Sequence, residues 1–120
     1  MKVGEIMKGM RKKNQELGMM NESASDLAEK SAQAERNYNV AFATKIIDLR
    51  SHGEPATLVP TMAKGDKVVA DLRIKMLIAE GVLNANREAI KNHRGALETY
   101  RSLLSWEKSE MEISRHVPEK

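Results

Sequence analysis

Apolar positions follow one another at helical spacing along nearly the whole chain, and the longest run lies in its second half. From residue 72 onward Met76, Leu83, Ile90, Leu97, Leu104 and Met111 recur every seven residues, the signature of one seam of a coiled-coil-like helix. The companion seam reads Leu72, Ala79, Asn86, His93, Tyr100 and Glu107, apolar at its start and polar toward its end. Val82, Ala89, Ala96 and Leu103 widen the apolar face on one side, and Glu80, Arg87, Arg94, Arg101 and Lys108 make the other side charged. With Asp66 as its N-cap, this pattern predicts a helix over 66–115.

A second stripe runs through Leu27, Ser31, Ala34, Tyr38, Phe42, Ile46 and Leu49 at steps of three or four, which predicts a helix over 22–50. Ser23 followed by Asp26 resembles a capping box at its entry, and Gly53 suits a left-handed C-cap at its exit. Between the helices, residues 51–65 hold two of the three prolines and two of the seven glycines. That composition predicts a connection, with a short turn of helix over Val59–Lys64 and Pro60 in its first turn. The N-terminal residues 1–21 carry Val3, Ile6, Met10, Leu17 and Met20 at steps of three, four and seven. Gly4, Gly9 and Gly18 interrupt this stretch, each costing a helix about 1 kcal/mol relative to alanine, so it reads as a separate amphipathic segment.

These elements make an all-α chain of one domain over 1–120, a long antiparallel helical hairpin of coiled-coil type with an N-terminal helical segment. At 1.5 Å per residue the two helices are roughly 43 and 70 Å long, so the shorter leaves Leu97, Leu104 and Met111 uncovered. Either the N-terminal segment or a second copy must cover them. The run from Leu72 to Ala85 is apolar on more than one face, because Ile74, Leu77 and Ile78 lie off the main stripe. A hairpin partner covers only one face. The expectation is therefore a homo-oligomeric bundle, with Leu72, Ile74, Met76, Leu77 and Ile78 at its interface together with Leu83, Ile90, Leu97 and Leu104.

Composition agrees with a core of aliphatic seams. The 120 residues are 41% hydrophobic, 31% charged and 3% aromatic, and eight methionines supply adaptable packing. The absence of cysteine excludes disulfide scaffolds, thiol nucleophiles and cysteine-ligated metals. Four aromatic residues are too few for the stacking platforms of single-strand nucleic-acid binders. No apolar run is long enough for a signal peptide or a transmembrane span, which gives a cytoplasmic location and no membrane partner as the expectation.

Candidate chemistry is sparse. His52, His93 and His116 form no metal-binding pair, and Glu54, Asp66 and Asp71 read as cap and dipole charges rather than an acid/base group. No nucleophile elbow and no phosphate-binding glycine loop occurs, so neither enzyme activity nor a cofactor is expected. His93, one heptad after Asn86, reads as part of a polar pair that fixes register; titration there would make assembly pH-sensitive.

Two basic features remain: a cluster of Lys8, Arg11, Lys12 and Lys13, and the heptad line Arg87, Arg94, Arg101 and Lys108. Either can follow a phosphate backbone. The line equally suits ion pairs with acids such as Glu29 or Glu35 across a helical interface, and the net charge of only +3 weakens the nucleic-acid reading.

Leu49-Arg50-Ser51-His52-Gly53-Glu54-Pro55-Ala56-Thr57 and Ala63-Lys64-Gly65-Asp66, set between Ala34-Glu35-Arg36-Asn37-Tyr38 and Val69-Ala70-Asp71-Leu72 with Ala79-Glu80 beyond, resemble small helical proteins of bacteriophages and prophages. The resemblance covers roughly residues 30–105 and excludes the N-terminal segment. It implies an accessory role in phage replication, recombination or host takeover, with no catalytic or binding residue carried over. The readings that follow are a self-associating interaction protein with a phage or host partner, a DNA- or RNA-binding accessory factor, or an inhibitor of a host enzyme.

Overall fold

A computed structural model describes residues 2–116, with side chains through Arg115. Among them are three helices, α1 (Val3–Ser51), α2 (Val59–Gly65) and α3 (Lys67–His116), and no strand. α1 and α3 pack antiparallel as a helical hairpin, with α2 between them in sequence.

The N-terminal residues are not a separate segment. α1 runs unbroken through residues 21 and 22, where two elements were expected, and at 49 residues it matches the 50 of α3. The register explains the continuity. Val3, Met10, Leu17, Ala24, Ser31, Tyr38 and Lys45 form one heptad series, and Ile6, Lys13, Met20, Leu27, Ala34 and Ala41 form the other, with no change of phase. Every one of these side chains is buried or half-buried. Ser23 is therefore no cap: its hydroxyl donates to the Met19 carbonyl at 3.1 Å, and Asp26 pairs with Lys30 at 3.0 Å within the helix. Burial of a continuous apolar stripe outweighs three glycine penalties, because helical stability in proteins comes mainly from tertiary packing.

Contacts divide the chain into two compact units: residues 1–23 with 86–120, and residues 24–85. In the first, Ile6 is fully buried and Leu97 nearly so. The N-terminal part of α1 thus covers Leu97 and half-covers Leu104. Met111, expected to continue the seam, is exposed.

In the second unit the chain reverses through features that the sequence makes legible. Gly53 adopts φ +80°, its N–H donates to the Arg50 carbonyl at 3.0 Å, and the Glu54 N–H donates to that of Leu49 at 3.2 Å. This is the Schellman arrangement, which favours glycine because a left-handed residue with a Cβ is strained. α2 carries Pro60 in its first turn and buries Val59 and Ala63. Asp66 then opens α3: its Oδ2 accepts the Val69 N–H at 3.2 Å, and its Oδ1 lies 3.6 Å from Lys45 Nζ on α1. Tyr38 and Phe42 stack one turn apart on α1, with ring centroids 5.9 Å apart.

Candidate interaction surfaces

The residues expected at an oligomer interface separate into two groups. Leu83 and Leu97 are buried and Leu72, Met76, Ile90 and Leu104 are half-buried, so a single chain already uses them in its own α1–α3 seam. Ile74, Leu77 and Ile78 are 55, 50 and 61% exposed, and Val82 is 48% exposed. Ile74, Leu77 and Ile78 lie on the side of α3 turned away from the seam, and Val82 lies at its edge, on the flank that borders the seam. Gly81 and Ala85 lie on the same side, so the patch is apolar over about three turns. Such a continuous exposed stripe has no role in the fold of the isolated chain. Elsewhere in the second unit, Val40, Ile47 and Val68 are exposed, near shallow grooves lined by Ala41, Thr44, Lys45 and Asp48 or by Gln33, Arg36, Asn37 and Leu72.

The first unit holds the basic residues. It contains 12 Lys+Arg against 9 Asp+Glu, whereas the second contains eight of each, so the whole net charge of +3 resides in the first. Arg87, Arg94, Arg101 and Lys108 are all exposed on one flank of α3. Arg94 and Arg101 line a groove with Asn14, Leu17, Leu97 and Glu98. Arg101 is paired with Glu98 on its own helix, and Arg94 makes no ion pair among the described residues. Neither Glu29 nor Glu35, both in the second unit, is ion-paired among the described residues. The N-terminal cluster is not uniformly exposed. Lys8, Arg11 and Lys12 are exposed, but Lys13 occupies a half-buried seam position and lies 3.6 Å from Glu16.

The polar seam positions are satisfied within the chain. Asn86 donates through Nδ2 to the Met20 carbonyl at 3.3 Å. His93 Nδ1 lies 2.9 Å from the Ala89 carbonyl, and Nε2 lies 2.6 Å from Glu16 Oε2. The carbonyl can only accept, so Nδ1 carries a proton. Glu16 is held below the usual carboxylate range, chiefly by the hydrogen bond from His93, with Lys13, the charge of His93, and Lys12 assisting against a smaller opposing effect of desolvation.

Glu16 was not singled out by sequence reasoning, since it belongs to neither apolar series. Its signal is the antiparallel register, which sets the flank of one heptad beside His93 of the other. Trp106 was passed over too. It is 64% exposed, with Met111 and Ile113 exposed beyond it, and a shallow groove beside it is lined by Ser102, Ser105 and Ser109. Its position two residues past the Leu104 seam position was the available clue.

Among the described residues no group of three His, Asp or Glu side chains is placed to hold a metal, and no helix is long and apolar enough to cross a membrane. The side chain of His116 and residues 117–120 lie outside the described residues. Compared with known protein families, curated proteins and solved structures, the chain matches none.

Proposed function

We propose that this protein is a non-enzymatic helical interaction protein that works by associating with further copies of itself through the outer face of α3. The observation that carries the reading is the exposed stripe of Ile74, Leu77, Ile78 and Val82, on a helix whose opposite face is already occupied by α1. Burying such side chains contributes on the order of 1.5–3 kcal/mol each when burial is complete, enough to drive association when several are doubled across an interface. Light scattering during size exclusion tests it. Wild type should elute with at least twice the 13.5 kDa mass of one chain, and Leu77→Asp/Ile78→Asp should elute as a folded monomer with unchanged helical circular dichroism. A monomeric wild type at high micromolar concentration overturns the reading.

A second reading is nucleic-acid binding along Arg87, Arg94 and Arg101, favoured by the concentration of net positive charge in the first unit and by Arg94 facing a groove without an ion pair. Such binding would weaken steeply with salt. A mobility-shift assay showing no binding to DNA or RNA at low salt removes it.

A further inference from the structure

We infer that the second copy meets this face antiparallel, about a two-fold axis beside Leu77, with Ile74 of each copy seated over Gly81 of the other and Arg73 of each paired with Glu80 of the other. The inference rests on the self-association proposed above and adds its orientation and register.

Size complementarity is the first support. At 100° per residue Ile74, Gly81 and Ala85 lie within about 20° of one line along α3, with Leu77 and Ile78 to either side of it. Gly81 stands inside a helix, where it costs about 1 kcal/mol relative to alanine. Within the chain that cost has no structural reason, because a Cβ at Gly81 would meet nothing within 4 Å. Against a second helix it leaves, with Ala85, a recess on the C-terminal side of the bulky Ile74, Leu77 and Ile78. Ile74 lies three residues before Leu77 and Gly81 four after, so an antiparallel copy centred there sets each isoleucine over the other's glycine.

Charge complementarity with a second copy is a further observation. Arg73 and Glu80 flank the patch on its Leu77 side, both exposed, and neither is ion-paired among the described residues. They stand two turns apart on one helix, about 10 Å of rise, too far to bridge each other. In an antiparallel two-fold pairing the same flanks meet, and positions four before and three after the axis come opposite, so two Arg73–Glu80 pairs form. A parallel pairing would instead set Ile74 against Ile74, leave Gly81 facing Gly81, and bring Arg73 between Asp71 and Lys75. Asp71 would reach Arg73 and Lys75 would reach Glu80 in that arrangement, but the recess would stay unfilled. Charges can pair in either direction, so it is size that favours the antiparallel arrangement.

The absence of native cysteine permits a direct test with single-cysteine variants under mild oxidation. Leu77→Cys should form a covalent dimer with itself. Ile74→Cys and Gly81→Cys should each fail to do so alone, being about 10 Å from their own counterparts along the axis, yet cross-link when mixed. Sedimentation equilibrium adds a charge test. Arg73→Glu and Glu80→Arg should each weaken the dimer at least tenfold, and the double reversal should return it to within about threefold of wild type. Self-cross-linking of both Ile74→Cys and Gly81→Cys, or a double reversal no tighter than the single ones, overturns the antiparallel register while leaving self-association intact. A monomeric wild type overturns both.

Discussion

Replacing Gly9 by alanine tests the packing of the first unit, because two effects of known size oppose each other there. A helical glycine gains about 1 kcal/mol of stability on becoming alanine. At Gly9 the added Cβ would stand 2.6 Å from Tyr100 Cζ, 2.7 Å from its hydroxyl oxygen and 2.8 Å from Cε1, all well inside van der Waals contact. The half-buried tyrosine must swing off α1, and overpacking of this kind costs about 1–3 kcal/mol. Gly9→Ala should therefore end about 1 kcal/mol less stable than wild type. Gly18→Ala, whose Cβ meets nothing within 4 Å, should gain close to the full helical increment. In a Tyr100→Ala background the obstacle is gone, so Gly9→Ala should become stabilising by about 1 kcal/mol, for a coupling of about 2 kcal/mol between the sites. Urea unfolding followed by far-ultraviolet circular dichroism resolves this, since 1 kcal/mol moves the midpoint by about 0.5 M at an m-value of about 2 kcal/mol/M. Protein concentration must be constant, because association shifts the apparent midpoint. If Gly9→Ala stabilises wild type as much as Gly18→Ala does, Tyr100 does not pack on Gly9 and the register of the first unit is wrong.

Two further outcomes follow from the same unit. The Glu16 carboxyl is held below its ordinary value of 4.5, so its contribution to stability is fully present above that value and is lost as pH falls through the lower folded value. The gap in melting temperature between wild type and Glu16→Gln should accordingly be widest above the ordinary carboxylate range and close under acid; a gap that persists unchanged into strong acid contradicts an ionised Glu16 held by His93. Ile6→Ala should cost about 2–5 kcal/mol despite its place near the chain's start, because Ile6 is fully buried; a cost under 0.5 kcal/mol in urea unfolding would mean that this part of α1 is not docked.

Much of the fold is legible from local chemistry. Heptad spacing from Leu72 to Leu104 determines the seam of α3, because side chains seven residues apart return to nearly the same face of a helix whatever lies opposite. The reversal is equally local: Gly53 is tolerant of positive φ, Pro60 is suited to a first turn, and Asp66 is a carboxylate placed to take the Val69 N–H. The off-seam placement of Ile74, Leu77 and Ile78 also follows from periodicity alone. Tertiary structure decided what periodicity leaves open. Gly4, Gly9 and Gly18 and the cap-like Ser23 argue locally for a break, yet α1 continues because the buried face of its first two dozen residues is worth more than the glycines cost. That continuity decides that Leu97 is covered by its own chain while Met111 is not, and it brings Glu16 to His93 and the bare backbone of Gly9 to Tyr100. Propensity acts between neighbours in sequence, and pairings of residues more than seventy positions apart arise only when both helices are in place.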